Sequence, residues 1–234
     1  MSVTDVTVSY GATLAIEHAT FTVPVGSVMG LLGPNGAGKS TIIKAGLELM
    51  DHTGDVRFFG KPLEEVRRKV AYMPQVAAVD WDYPITVEQV VTMGMYTELG
   101  WLRRANAAHR SRVMEVLDRV GIADLAKRQI SELSGGQRRR VFVARILVQA
   151  PELYLLDEPF AGVDAASERV IRGVLHELRD QGATIVIVHH DLSTVAELCD
   201  HVTILNREII ATGPTSEAFT RENITKAFGL GLLE

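Results

Sequence analysis

Cysteine is all but missing from this chain. Cys199 is the one cysteine in 234 residues, so no disulfide can close within the chain and a reducing compartment is the simplest setting. An excess of basic charge is missing too. Lys and Arg total 24 against 29 Asp and Glu, a net charge of −5, which argues against a basic nucleic-acid binder. Residues 1–10 carry an aspartate and alternate polar with apolar positions, which predicts no secretory leader there. Positions 18–38 hold no charged residue, long enough in principle to cross a bilayer. Five glycines and two prolines interrupt that stretch, so it reads as two strands joined by turns. The expectation is a soluble chain whose membrane contact comes through a partner. Repeats, low-complexity tracts and Ser/Gly linkers are absent as well, and nothing cuts the chain into independent domains.

What is present is a hydrophobic content of 47 %, enough for one sizeable core and too much for disorder. Val3–Val8 and Ala19–Val23 alternate with period two, and Val28–Leu32 is apolar throughout, as in a strand buried on both faces. A helix is predicted over Lys39–Leu49, with short strands at Asp55–Phe59 and Val70–Met73. From Thr86 to Val148 the pattern is helical, with Thr86 and Gln89 spaced as a capping box. Apolar strands return at Leu153–Leu156 and Thr184–Val188, flanking an amphipathic stretch from Ala165 to Gln181. This β, α, β order predicts a parallel sheet clothed by helices, the long helical insertion packing on its edge. A hairpin around Asn206-Arg207 and a helical tail from Pro214 to Phe228 complete the reading.

Three motifs carry chemistry. Gly33-Pro34-Asn35-Gly36-Ala37-Gly38-Lys39-Ser40-Thr41 matches G-x-x-x-x-G-K-[ST] between a buried strand and a helix. Glycines let successive N–H groups form a nest around phosphates, Lys39 adds a charge there, and Ser40 can offer its hydroxyl to Mg²⁺. Leu153-Tyr154-Leu155-Leu156-Asp157-Glu158 ends a buried strand in two carboxylates. At the C-terminal edge of a parallel sheet, Asp157 suits Mg²⁺ and Glu158 suits polarising an attacking water. Ser134-Gly135-Gly136-Gln137 fits a capping box, yet two glycines in a first helical turn weaken a helix and leave its N–H groups open to a second phosphate. One chain already has its phosphate loop, so a second anion site points to a second molecule.

These motifs together resemble the nucleotide-binding subunit of an ATP-binding cassette (ABC) transporter over essentially all 234 residues. The resemblance implies an α/β fold, a P-loop NTPase (RecA-like) core with an N-terminal antiparallel β subdomain and an inserted α-helical signature subdomain at about 84–150. It also gives the remaining motifs their roles. Gln75 stands as the Q-loop, Leu133-Ser134-Gly135-Gly136-Gln137 as the signature, Asp164 as the D-loop and His190 as the switch histidine. Tyr10 sits where the family stacks an aromatic on adenine, although a core strand aromatic would look the same. Glu158, His190 and Gln75 would carry catalysis. Ser40, Gln75 and Asp157 would hold Mg²⁺, and Ser134, Gly135, Gly136, Gln137 and Asp164 would reach ATP bound by a partner copy.

The run from Met73 through Trp81, Asp82, Tyr83 and Pro84 is similar to importers of the manganese, zinc and iron group, as is Met93 to Arg104. The resemblance then implies a homodimer, an integral-membrane permease and an extracytoplasmic solute-binding protein, with the ATPase peripheral on the cytoplasmic face and no nucleic-acid partner. Trp81, Tyr83 and Trp101 are expected to anchor the permease, unless Trp101 fills the helical subdomain's own core. Importers of haem, cobalamin or siderophores are the alternative cargo class. A soluble ABC protein acting on ribosomes or DNA is the alternative outside transport, but only 91 residues separate Thr41 from Leu133, too few for a coiled-coil arm. Arg138 and Arg139 depart from the family's frequent glutamines. The run Arg138-Arg139-Arg140 reads as a solvated helix face with no consequence for activity. His189, His190 and Asp191 do not read as a metal site, because adjacent strand residues point to opposite faces.

Overall fold

The computed structural model describes residues 1–75, 81–100, 105–189 and 191–229. Its strands are β1 (Ser2–Tyr10), β2 (Thr13–Thr22), β3 (Val28–Leu32), β4 (Thr53–Arg57), β5 (Val70–Met73), β6 (Leu153–Asp157), β7 (Thr184–Val188), β8 (His201–Asn206) and β9 (Glu208–Pro214). Its helices are α1 (Lys39–Gly46), α2 (Leu63–Val66), α3 (Val87–Met93), α4 (Tyr96–Leu99), α5 (Ala107–Arg119), α6 (Gly135–Leu147), α7 (Ala165–Asp180), α8 (Val195–Leu198), α9 (Thr215–Ala218) and α10 (Arg221–Phe228). Among them none is long and apolar enough to cross a membrane.

A six-stranded sheet runs β5-β6-β7-β3-β8-β9, parallel except for β9, and a separate antiparallel sheet runs β2-β1-β4. The central strands β3, β6 and β7 are buried at all five positions each, which is why they read as unbroken apolar runs. Their alternation still sorts them between two cores. Leu153 and Leu155 join Ile42, Ile43, Val6 and Phe21 beneath the antiparallel sheet, so α1 is sandwiched between the two sheets. Tyr154 and Leu156 face the other way, into a core shared with Leu117, Phe142, Ile146 and Leu175 of α5, α6 and α7. The helices between β5 and β6 thus sit over one face and edge of the parallel sheet, as the α/β reading expects.

Two of the boundaries that differ from the sequence reading have a clear local reason. Helix α1 stops at Gly46 because Glu48 takes the left-handed conformation (φ 57). The Glu48 and Leu49 N–H groups then reach back to the Ala45 and Lys44 carbonyls, a closure that usually employs glycine. The tail is two helices, not one, since the Thr220 hydroxyl accepts from the Asn223 N–H and starts α10 afresh.

Candidate functional site

The phosphate loop leaves the C-terminal end of β3 and enters α1 at the sheet's C-terminal edge. Gly38 caps α1 with φ 99, and a Cβ there would lie 2.2 Å from Ile16 Cδ1. Only glycine fits both the conformation and the space. Lys39 is buried, and its Nζ donates to the carbonyls of Gly33 (2.7 Å) and Pro34 (2.8 Å). Burial lowers its pKa from the usual lysine value, with Glu158 and then Asp157 opposing. Tyr10, the last residue of β1, is 53 % exposed, and its hydroxyl lies 3.3 Å from Thr41 Oγ1. The core-aromatic alternative for Tyr10 therefore does not apply; its ring is held at the loop's far end and open to solvent.

Across the sheet edge, Asp157 closes β6 and is buried, accepting the Ser40 hydroxyl at 2.8 Å. Burial raises its carboxyl pKa above the usual range, while the Ser40 hydrogen bond pulls the other way. A hydroxyl and a carboxylate converging beside a phosphate nest form an oxygen donor set that suits a hard divalent cation. The next residue, Glu158, is half-buried in a left-handed conformation (φ 53), a strain of order 1–3 kcal/mol for a residue with a side chain. Asn35 to Thr41, Gln75 and Glu158 together line a cleft of about 440 Å³. Tyr72 on β5 is a neighbour the sequence did not flag. Burial, with Asp157 nearby, pushes its phenol up to about 12.

The signature segment lies elsewhere. Ser134 caps α6 through a complete capping box with Gln137, and Ser134 and Gly135 are exposed. Gly136 is buried, and a Cβ there would lie 2.4 Å from Asp164 Oδ2 and 2.6 Å from Ser167 Oγ. Its glycine identity thus has an internal packing reason beside any anion contact. Asp164 accepts the Ser167 N–H (2.8 Å) and hydroxyl (2.9 Å), bonds that hold its pKa below the usual carboxylate value. None of Ser134, Gly135, Gly136, Gln137 or Asp164 lines the cleft made by this chain's own phosphate loop.

The arginine run is not a solvated face, contrary to the sequence reading. Arg139 is buried with Nη2 on the Ala161 carbonyl at 2.9 Å. Arg138 stacks on Trp81 at 4.7 Å and donates to the Ser131 carbonyl, while Arg140 donates to the Val120 and Gly121 carbonyls. Each leans over a loop whose position no local pattern announces.

The model of the ABC transporter family matches residues 16–161. The chain belongs to the ABC transporter ATP-binding family. It is 47 % identical over 230 residues to the zinc transport system ATP-binding protein TroB of Treponema pallidum, covering 98 % of this chain and 86 % of that one. It is 46 % identical over 226 residues to the manganese transport system ATP-binding protein MntB of Bacillus subtilis, covering 96 % and 90 %. A solved ATP-binding subunit of an ABC transporter superimposes with a TM-score of 0.80 at 27 % identity, covering 92 % and 90 %. The chain is accordingly an ATP-binding, ATP-hydrolysing subunit of a transport system.

Against that family frame, His190, Val79, Asp80 and Trp101 lie outside the described residues. Its neighbour His189 is buried edge-on to Phe160 with Nε2 on Thr194 Oγ1. Among the described residues no His, Cys, Asp and Glu cluster is arranged to hold a metal ion. Trp81 is half-buried, edge-on to Phe142 beneath Arg138, so part of its ring serves the helical part's own packing. Tyr83 remains 60 % exposed.

Proposed function

We propose that this chain is the ATPase of a manganese or zinc importer, working as a head-to-tail homodimer on the cytoplasmic face of the membrane beneath a separate permease. The observation that carries the cargo class is the near-full-length identity to zinc and manganese ATP-binding proteins. In this reading Tyr10 stacks on adenine, residues Gly33 to Thr41 wrap the phosphates, and Lys39 transfers its hydrogen bonds from loop carbonyls to phosphate oxygens. Ser40, Asp157 and Gln75 would hold Mg²⁺, which neutralises phosphate charge when bound. Glu158 takes a proton from the water that attacks the γ-phosphorus as the bond to ADP breaks, and His190 contacts the γ-phosphate.

Because Ser134, Gly135, Gly136, Gln137 and Asp164 do not line their own cleft, they act on ATP held by a second copy. The permease would dock where α3, α4 and α5 form a groove of about 490 Å³ carrying Met93, Tyr96, Leu99 and Met114. Met93 and Tyr96 are more than half exposed there, an apolar surface that suits a short helix of the membrane partner. A solute-binding protein outside the membrane would deliver the ion.

Reconstitution with the permease and binding protein in proteoliposomes tests the cargo. ATP-dependent uptake of Mn²⁺ or Zn²⁺ is expected. Stimulation of ATPase activity only by haem, cobalamin or a ferric siderophore would replace this reading with the organic-chelate class.

A further inference from the structure

The signature helix carries a buried cation that the family motifs do not account for. Arg139 is 6 % exposed, and among the described residues its guanidinium makes one hydrogen bond, from Nη2 to the Ala161 carbonyl at 2.9 Å. Its Nη1 is buried with no acceptor among the described residues. A buried, incompletely paired charge is expensive and persists where something else depends on it.

The groups around it say what depends on it. The Ala161 peptide is tied at both ends, its N–H to the Glu158 carbonyl at 3.2 Å and its own carbonyl to Arg139. Glu158, three residues earlier, sits in a left-handed conformation that its side chain disfavours. One turn back along α6, Gly136 packs against Asp164 and Ser167 at the other end of the same loop. Helix α6 thus grips the 158–164 loop at two points. Burial lowers the Arg139 pKa, and the charges that oppose this are those of Glu158 and then Asp157.

We propose that Arg139 is a positioning residue for ATP hydrolysis: by holding the Ala161 carbonyl it fixes the strained turn that aims Glu158, and it joins the signature helix to the water-activating carboxylate of the same chain. This rests on the reading of Glu158 as the group that activates water. An event at the signature helix, which faces a partner's nucleotide, would then be felt at this chain's own Glu158.

The test uses the full chain with Mg–ATP and separates turnover from binding. Arg139→Met keeps bulk and removes every donor; Arg139→Lys keeps the charge, with its donors on a single nitrogen. Arg139→Met is expected to lower kcat about tenfold while the KM for ATP stays within about twofold, and Arg139→Lys to recover most of the loss. Should the Met variant fail to fold by thermal melting, Arg139→Gln is read by the same split. Full kcat in Arg139→Met or Arg139→Gln beside an inactive Glu158→Gln would overturn the proposal. So would parallel losses in kcat and ATP affinity with no rescue by lysine, the mark of a merely structural arginine. If Glu158→Gln itself turns over normally, the reading of Glu158 fails first and the proposal falls with it.

Discussion

At the scale of single residues, burial holds Lys39, Asp157 and Tyr72 away from their ordinary ionisation preferences. Asp157 is the clearest. Its folded pKa lies above the unfolded value near 3.8, so the folded state holds that proton more tightly. Its contribution favours folding at low pH and is lost as pH climbs from the unfolded value through the raised folded one. At neutral pH the buried carboxylate therefore opposes folding in the nucleotide-free chain. Asp157→Asn should raise the melting temperature at pH 7 by about 2–4 °C, roughly 1 kcal/mol for a chain of this size, and weaken Mg–ATP binding at least about tenfold. The thermal gain should shrink as the pH is lowered toward the ordinary carboxylate range. Calorimetry with chelator present checks the sign, and an unchanged or lower melting temperature at pH 7 contradicts it.

The same scale shows where sequence reading succeeds and where it stops. Lys39, Ser40 and Asp157 were legible because strand, turn and helix signals fix where a phosphate loop and a strand-end carboxylate must sit. Arg139 and Tyr72 were not. An arginine between two arginines carries no sign that a loop 22 residues later will fold over it, and Tyr72 acquires its neighbour only when β5 pairs with β6. The packing of Trp81 was hidden for the same reason, since its partner Phe142 is 61 positions away.

At the scale of elements, end signals decide how the helices form. The boxes Thr86/Gln89 and Ser134/Gln137 were readable and are complete. A third box, Asn106 with His109, escaped because histidine stands where Glu or Gln is the familiar signal. Helix α6 carries the sharpest element-scale prediction. In an ordinary exposed helix, Gly→Ala stabilises by up to about 1 kcal/mol. Gly136→Ala should do the opposite, because the added Cβ meets Asp164 Oδ2 at 2.4 Å and Ser167 Oγ at 2.6 Å. A loss of roughly 1–3 kcal/mol is expected from overpacking, read as a lower midpoint in urea unfolding with an unchanged slope. Gly135→Ala, whose Cβ would lie 3.4 Å from the Gly162 carbonyl, should be milder. Equal effects at the two positions would argue that the α6–α7 contact is loose.

At the scale of the whole molecule, the antiparallel sheet and the helical layer cover opposite faces of the parallel sheet, and they present different surfaces at its edge. The phosphate loop, Gln75 and Glu158 share one cleft; the signature residues and Asp164 sit outside it. In the proposed head-to-tail dimer each chain completes its ATP site with a second chain, so nucleotide would form part of the interface and hydrolysis would reopen it. Light scattering on size-exclusion peaks of Glu158→Gln with saturating Mg–ATP tests this most directly. That variant keeps shape and hydrogen bonding but cannot take the proton from water, so it should stall as a closed dimer. Adding Ser134→Arg, which places bulk and positive charge where the partner's nucleotide would lie, should return it to a monomer at the same ATP concentration. A Glu158→Gln chain that stays monomeric at high protein and ATP, or a dimer indifferent to Ser134→Arg, would contradict a site shared between two copies.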